Sequence, residues 1–260
     1  MSADRHDRLD GRDARLVARL LPIARALCRS YFRLQVEGEE NLVATPTIYA
    51  SNHNGGIAGP DLLCTLSALW SALGPDAPVY ALAHDFAMRQ LVPLGRVLQK
   101  LGAVRASQDN ARRILESGAS LLVYPGGDLE AYRHGRRRNE IVLGERSGFV
   151  RLAQRTAAPI VPVVAFGAHR SAYIFHEGEF IARMLRMKNW ARLERFPIAL
   201  ALPWGIAPGP WLPYAPLPFR IRLRVLRAEH VDPAENPDTA RERIRSRMQA
   251  ALDDMRESER

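Results

Sequence analysis

The sequence predicts an α/β fold, one domain with a sheet covered by helices on both faces. Three observations carry this. Apolar runs of strand length alternate with segments of helical period through most of the chain. Several of those runs break into glycine-bearing turns, as in TIYASNHNGG and SLLVYPGG. The 260 residues and a 47% hydrophobic content are enough for one sizeable core.

The first dozen residues, MSADRHDRLDGR, are charged where a secretion signal needs its apolar centre, so no secretion is expected. From Arg12 to Leu34 a helix is predicted. Arg12, Arg15, Arg19, Arg25, Arg29 and Arg33 fall within roughly 140° of arc, opposite Leu16, Val17, Leu20, Leu21, Ile23, Leu27, Tyr31 and Phe32. Such a helix either packs its apolar stripe on the domain or lies on anionic lipid. Pro22 is expected to kink it or divide it in two. The chain is therefore read as a basic amphipathic segment 1–35, a main domain 36–235 and a charged C-terminal helix 236–260.

Within the main domain TIYASNH reads as a buried strand and PDLLCTLSALW as a helix with proline in its first turn. VYALA is a strand, followed by a helical stretch to Lys100. SQDNARRILESG is a helix capped by Ser107 and stopped by Gly118. SLLVYPGG, GFVRLAQRTAAP and IVPVVAFG then read as strand, helix and strand. Residues 196–219 carry no charge and are long enough to span a bilayer, yet seven prolines and two glycines exclude a spanning helix. With Trp204, Trp211 and Tyr214, that segment reads as irregular chain at a membrane interface, beside a greasy tunnel, or over one edge of the core. FRIRLRVLRAEHV alternates at period two, a strand whose arginines are solvated. The tail from Asn236 is a charged helix with a thin apolar stripe at Ile244, Met248 and Leu252.

The net charge is +9, and all basic residues except Lys100 and Lys188 are arginine, a bias that a GC-rich genome also produces. The charge favours an anionic partner: a membrane surface, nucleic acid or a phosphorylated ligand. No reading helix with interleaved aromatics accompanies RHGRRR at 133–138, so nucleic acid is not the predicted partner. That run is a solvated loop or a phosphate clamp for a donor nucleotide. Cys28 and Cys64 lack metal-ligand spacing, so neither a zinc site nor a disulfide framework is expected, in keeping with a reducing cytoplasm.

The chemistry concentrates in SNHNGGIAGPDLL. His53 follows a strand, at the end where α/β sheets bind ligands, and Gly55, Gly56 and Gly59 let the chain turn sharply. Asp61 falls in the first helical turn, from which it can hold one ring nitrogen and leave the other as a base. Alone, this is equally a strand-to-helix turn with an incidental histidine. LLVYPGGDLEAYR adds a strand running into Pro125, Gly126 and Gly127, whose amides can face an oxygen or phosphate, with Glu130 and Arg133 close behind. Alone, that is equally an ordinary turn with a surface ion pair. No GxSxG elbow or metal cluster is present, and His84, His134, His169 and His176 are scattered in core or surface contexts.

Taken in order, NHNGGIAGPD, LGAVRASQDNARRILESGASLLVYPGGDLEAYR, SGFVRLAQRTAAPIVPVVAFGAH and LPFRIRLRVL resemble the lysophospholipid and glycerol acyltransferase superfamily over most of residues 30–232. Within it the chain is similar to the monoacylglycerol and diacylglycerol acyltransferase branch. The resemblance implies a mixed central sheet flanked by helices, held on the cytoplasmic face of a membrane as a peripheral or monotopic protein. It implies His53 as base and Asp61 as its partner. Asn52, Arg105, Ser107, Pro125, Gly126, Gly127, Asp128, Glu130 and Arg133 would line the substrate site. No metal or cofactor is implied; the co-substrate is acyl-CoA or an acyl-carrier protein and the acceptor a lipid alcohol. Two features depart from the best-known branch. Seven residues separate His53 from Asp61, a longer spacing, and Tyr124-Pro125-Gly126-Gly127-Asp128 stands where that branch has Phe-Pro-Glu-Gly-Thr-Arg. Loss of that acid points away from a phosphate-bearing acceptor and toward a neutral or lightly charged one. The alternative is a lipid-binding scaffold of the same fold that no longer catalyses.

Overall fold

The structure is a computed structural model that describes residues 7–43, 46–56, 59–84, 88, 92–210 and 214–259. Trp211 lies outside the described residues, as do Ile57 and Ala58 of the glycine loop. Helix α1, Ala14–Ala26, starts where the Asp13 carboxylate accepts the Leu16 amide at 3.0 Å. It runs through Pro22 and passes into a π turn at Leu27–Tyr31. Pro22 thus does not divide the helix: both it and Ala18, whose carbonyl loses its partner, lie on the exposed side, where water can replace the missing bond. The apolar stripe divides instead. Val17, Leu21, Cys28 and Phe32 are buried on the domain, while Ile23, Leu27 and Tyr31 stay exposed.

Strand β1 is Gln35–Glu37 and β2 is Ile48–Ser51. Helix α2, Pro60–Leu73, opens with proline at a position whose N–H would be unpaired, after Gly59 in the left-handed region. Next come β3 (Val79–Ala83), α3 (Val92–Lys100) and β4 (Ala103–Arg105). Helix α4, Gln108–Glu116, is capped by Ser107, which accepts the Asn110 amide at 3.1 Å, and precedes β5, Ser120–Val123. The one-turn α5 (Gly127–Ala131), α6 (Gly148–Thr156) and β6 (Ile160–Phe166) follow. Then β7 (Tyr173–His176), α7 (Glu179–Met184), α8 (Met187–Trp190), β8 (Ile198–Ala201) and β9 (Gly205–Pro208) form an outlying unit. The chain returns through β10 (Arg222–Val225) and ends in α9 (Pro237–Glu257).

The main sheet is mixed, ordered β1-β10-β6-β2-β5-β3-β4, with β6, β2, β5, β3 and β4 parallel and β10 antiparallel to β6. Alternate residues feed opposite layers, since strand side chains point to opposite faces. Ile48 and Ala50 of β2 join α4, α6 and α9 in one cluster, whereas Tyr49 meets Leu69 of α2 in another. The helix after β2 and the helix α6 after β5 therefore lie on opposite faces. Where neighbouring parallel strands send their connections to opposite faces a crevice opens at their carboxyl ends. His53 stands at the end of β2, Tyr124 at that of β5 and His169 just beyond β6.

Two expectations are corrected. Residues 196–219 are not irregular throughout: β8 and β9 form an antiparallel hairpin that pairs with β7 in a second sheet, so backbone groups of the paired part, residues 198–208, satisfy one another. The β10 arginines are not simply solvated. Arg222 and Arg224 clasp Glu37 of β1 at 2.6 and 2.7 Å, because an edge strand in register places its carboxylate between them. Helix α9 buries Ala240, Ile244, Met248, Leu252 and Met255 in the main cluster and so forms one layer of the domain. Cys28 and Cys64 are free, buried thiols.

Candidate active site

The pairing of His53 with Asp61 follows from the way the chain turns between β2 and α2. Asn52 is pinned to β6, its amide donating to the Ala165 carbonyl at 3.0 Å and accepting the Ala165 N–H at 2.7 Å. Asn54 donates to the same carbonyl at 2.9 Å. Between these anchors His53 projects, and the glycines bring the helix start back to it. A Cβ at Gly55 would collide with Asp61 Oδ1 and the Pro60 ring, and one at Gly56 with the Tyr214 hydroxyl. Those two positions are glycine because a carboxylate and a phenol take the space.

His53 Nδ1 lies 2.6 Å from Asp61 Oδ2, which also accepts the Asn54 N–H at 3.1 Å. Asp61 has no exposed side-chain surface, and the imidazole is 22% exposed. Burial pushes the Asp61 carboxyl up, but the imidazole and the Asn54 amide outweigh it and hold the group below its ordinary value. For His53, burial opposes the charged form, and Asp61, helped by Glu130, more than compensates, so its pKa is raised. An ionised Asp61 can only accept, so Nδ1 carries a proton and the lone pair of neutral His53 is on Nε2. No described residue bonds Nε2. The Tyr124 ring, at 4.8 Å between centroids, packs beside the imidazole.

Glu130 and Arg133 hold the backbone of this turn. Glu130 is fully buried; Oε2 accepts the His53 N–H at 2.8 Å and Oε1 the Val142 N–H at 2.9 Å. Burial raises its pKa, against the pull of Arg133 and the two amides. Arg133 donates to the carbonyls of His53 (2.9 Å), Glu130 (2.6 Å), Arg137 (3.1 Å) and Arg138 (3.0 Å). A Cβ on Gly126 would lie 2.7 Å from Glu130 Oε2, so an acid carboxylate reaches the space beside residue 126 although the acid is missing from that position in the sequence.

The remaining predicted residues divide. Pro125 and Gly126 line the turn after β5, but the Gly127 amide is donated to the Tyr124 carbonyl at 3.0 Å and closes that turn rather than facing a substrate. Asp128 is buried between Arg146, at 3.1 Å, and the Glu194 amide, at 2.6 Å, and ties α5 to the outlying unit. Arg105 donates from Nε and Nη2 to Asp7, at 2.8 and 2.9 Å, on the far edge strand β4, with β5 and β3 between it and β2. Ser107 spends its hydroxyl as the α4 cap. The structure therefore brings Asn52, His53, Asp61, Glu130 and Arg133 together and leaves Arg105 and Ser107 apart. Of the other histidines, His134 and His176 accept nearby backbone amides.

Two participants escaped the sequence reading. Asn54 carries no role in the sequence pattern, and its signal is its place next to His53. Tyr214, buried at 8% exposure, closes over the glycine turn from the Pro-rich segment, its hydroxyl 3.4 Å from the Gly55 carbonyl. Between Tyr214, the glycine turn and Glu130 lies a narrow cleft of about 20 Å³, room for about one water.

The family model described as Acyltransferase matches residues 33–165, half of the chain, including both loops of this site. An uncharacterized protein of Mycobacterium tuberculosis (strain ATCC 25618 / H37Rv) is 28% identical over 189 residues, covering 73% of this chain and 52% of its own length. Diacylglycerol O-acyltransferase 2 of Homo sapiens is 29% identical over 162 residues, 58% of this chain and 41% of that one. The chain thus spans about half the length of the curated relatives it matches. Among solved structures, the crystal structure of the 1-acyl-sn-glycerophosphate (LPA) acyltransferase from Thermotoga maritima shares the fold. Its TM-score is 0.58 at 15% identity, over 92% of this chain and 79% of that one. On the family match, this chain belongs to the acyltransferase family.

Proposed function

We propose that the chain is an O-acyltransferase that moves a fatty acyl group from a thioester, acyl-CoA or an acyl-carrier protein, to the hydroxyl of a glycerolipid or similar lipid alcohol. The observation that carries this reading is the 2.6 Å contact of His53 Nδ1 with a buried Asp61, which leaves Nε2 without a partner among the described residues. Nε2 takes the acceptor hydroxyl proton as that oxygen attacks the thioester carbonyl. Asp61 stabilises the imidazolium so formed. The tetrahedral intermediate then expels the thiolate, the C–S bond breaks, and His53 returns its proton to sulfur. Atoms and charge balance without a covalent enzyme intermediate.

The preference for a neutral or lightly charged acceptor rests on similarity to a diacylglycerol acyltransferase and on glycine at position 126, where the better-known pattern carries an acid. A membrane surface supplies the lipid acceptor, and our reading puts the protein on its cytoplasmic face as a peripheral or monotopic protein. In support, no helix among the described residues is long and apolar enough to cross a membrane, while Ile23, Leu27, Trp204 and Ile206 are exposed.

His53→Ala should lower thiol release from acyl-CoA in the presence of diacylglycerol by about two to four orders of magnitude. Because that truncation strands the buried Asp61, His53→Asn is the companion variant: its amide can still donate to the carboxylate, so it keeps the fold and still loses the base. Turnover by purified His53→Asn at the wild-type rate would refute the assignment.

A further inference from the structure

Next to the cleft, beyond the carboxyl end of β6, is a second cavity of about 220 Å³ that the proposed chemistry does not use. Its walls come from three distant parts of the chain: Arg138 and Asn139 after α5, His169 and Arg170 after β6, and Arg256 and Glu259 at the end of α9. Three guanidinium groups thus face one carboxylate. Glu259 is already held by both terminal nitrogens of Arg170, whose guanidinium also lies 5.3 Å over the Phe166 ring. Arg138 has no carboxylate partner among the described residues, and Arg256 has only a long contact to Asp253, at 3.5 Å. Arg256 Nε, Asn139 Oδ1 and His169 Nδ1 are all buried without a hydrogen-bond partner. Of these, Arg256 Nε and His169 Nδ1 can donate to a ligand's oxygens, whereas Asn139 Oδ1 accepts and would take a protonated oxygen of the ligand.

We propose that this cavity binds a phosphate group carried by one of the two substrates. Planar guanidinium forks match phosphate oxygens in pairs, and the volume exceeds what a lone carboxylate needs. Arg138 and His169 also line the cleft beside Gly55 and Gly56, so a group bound here is next to the His53 turn. The phosphate belongs either to the nucleotide end of the donor or to the head group of the acceptor. That assignment to a substrate rests on the acyl-transfer reading; the anion site itself does not. His169 supplies an independent readout. It faces Arg170 on its own turn, Arg133 and Arg138 from the segment after α5, and Arg256 and Glu259 from α9. Burial, then Arg170, Arg133 and Arg138, hold its pKa down to about 3. A bound anion opposes those charges and raises it.

The test is calorimetric titration of the full chain with inorganic pyrophosphate, adenosine 3′,5′-bisphosphate and glycerol 3-phosphate. Pyrophosphate should bind, Arg138→Ala and Arg256→Ala should each weaken it about ten-fold, and the His169 imidazole resonance should titrate at higher pH when the site is filled. The tighter of the two organic probes names the source, nucleotide or head group. Equal binding by wild type and both variants, an unmoved His169, or no binding by any probe would overturn the proposal. Binding of pyrophosphate alone would overturn its assignment to a substrate. His53→Asn should bind all three probes as wild type does. Wild-type protein that binds anions and transfers no acyl group therefore counts against the acyl-transfer reading alone.

Discussion

Asp61 is a carboxylate without exposed surface, and it remains ionised because His53 and the Asn54 amide both donate to one of its oxygens. The pH response follows from the two shifts. His53, raised, contributes stability that is fully present below its ordinary value of about 6.5 and is lost as pH rises through its folded pKa. Asp61, lowered, contributes stability that is present above its ordinary value and is lost as pH falls through its folded pKa. In the proposed mechanism the base is the neutral imidazole, so activity should appear only as pH rises through the raised His53 value. A pH–rate profile should accordingly show an ascending limb centred above about 6.5. Asp61→Asn removes the charge that raises the imidazole, so the limb should move to lower pH while the plateau falls by about two to four orders of magnitude. A limb that stays in place in Asp61→Asn would mean that the titrating group is not His53. This pair was legible because both partners lie in one short run of sequence with glycines between them. The part played by Glu130 was not: its link to the His53 amide spans 77 positions and depends on two strands being neighbours.

Those neighbours are β2 and β5, and the loops that follow them are strapped to each other. Glu130 receives one amide from the β2 loop and another from Val142, and Arg133 ties the His53 carbonyl to the Arg138 carbonyl. Both Glu130 oxygens accept, so a glutamine there must turn its NH2 toward one of two N–H donors. Glu130→Gln should cost about 1–3 kcal/mol, the penalty of an unpaired buried polar group, read as a lower midpoint in urea unfolding. An unchanged midpoint would mean that the strap does not hold the turn. At this scale the long periodic elements were readable from residue spacing, as for α4 with its Ser107 cap and α9 with its four-residue apolar repeat. The three-residue strands β1 and β4 were not, because strands so short carry no period. The β8–β9 hairpin was hidden by prolines at positions where the ladder needs no donor, such as Pro208 at the end of its strand. Strand order was beyond reach, since it depends on which helices share a face.

Across the whole molecule, two groups of exposed apolar side chains lie near the site. Ile23, Leu27 and Tyr31 run along one line of α1 and the π turn after it, one helical turn apart. Leu200, Leu202, Trp204 and Ile206 project from the β8–β9 hairpin. The two groups are joined: Ala215 donates to the Leu202 carbonyl at 2.9 Å, and one residue further on the Pro216 carbonyl accepts the Tyr31 hydroxyl at 2.8 Å. Tyr214, next to that joint, closes over the glycine turn of the site. Through Tyr214 the apolar surface therefore borders the glycine turn that carries His53. Arginines at positions 15, 19, 25 and 29 flank its helical part, so attachment should have a charge component and an apolar component. Salt screens the first and leaves the second. In sedimentation with vesicles containing anionic lipid, raising salt to about 0.5 M should release only part of the protein. Trp204→Ser with Ile206→Ser should weaken the salt-resistant fraction about ten-fold or more, since each side chain withdrawn from the interface forfeits roughly 1–3 kcal/mol. Both side chains are more than half exposed, so the fold should be untouched, as an unchanged melting temperature would verify. Complete release of wild-type protein by salt alone would show that these side chains stay in water and that the lipid reaches His53 by another route.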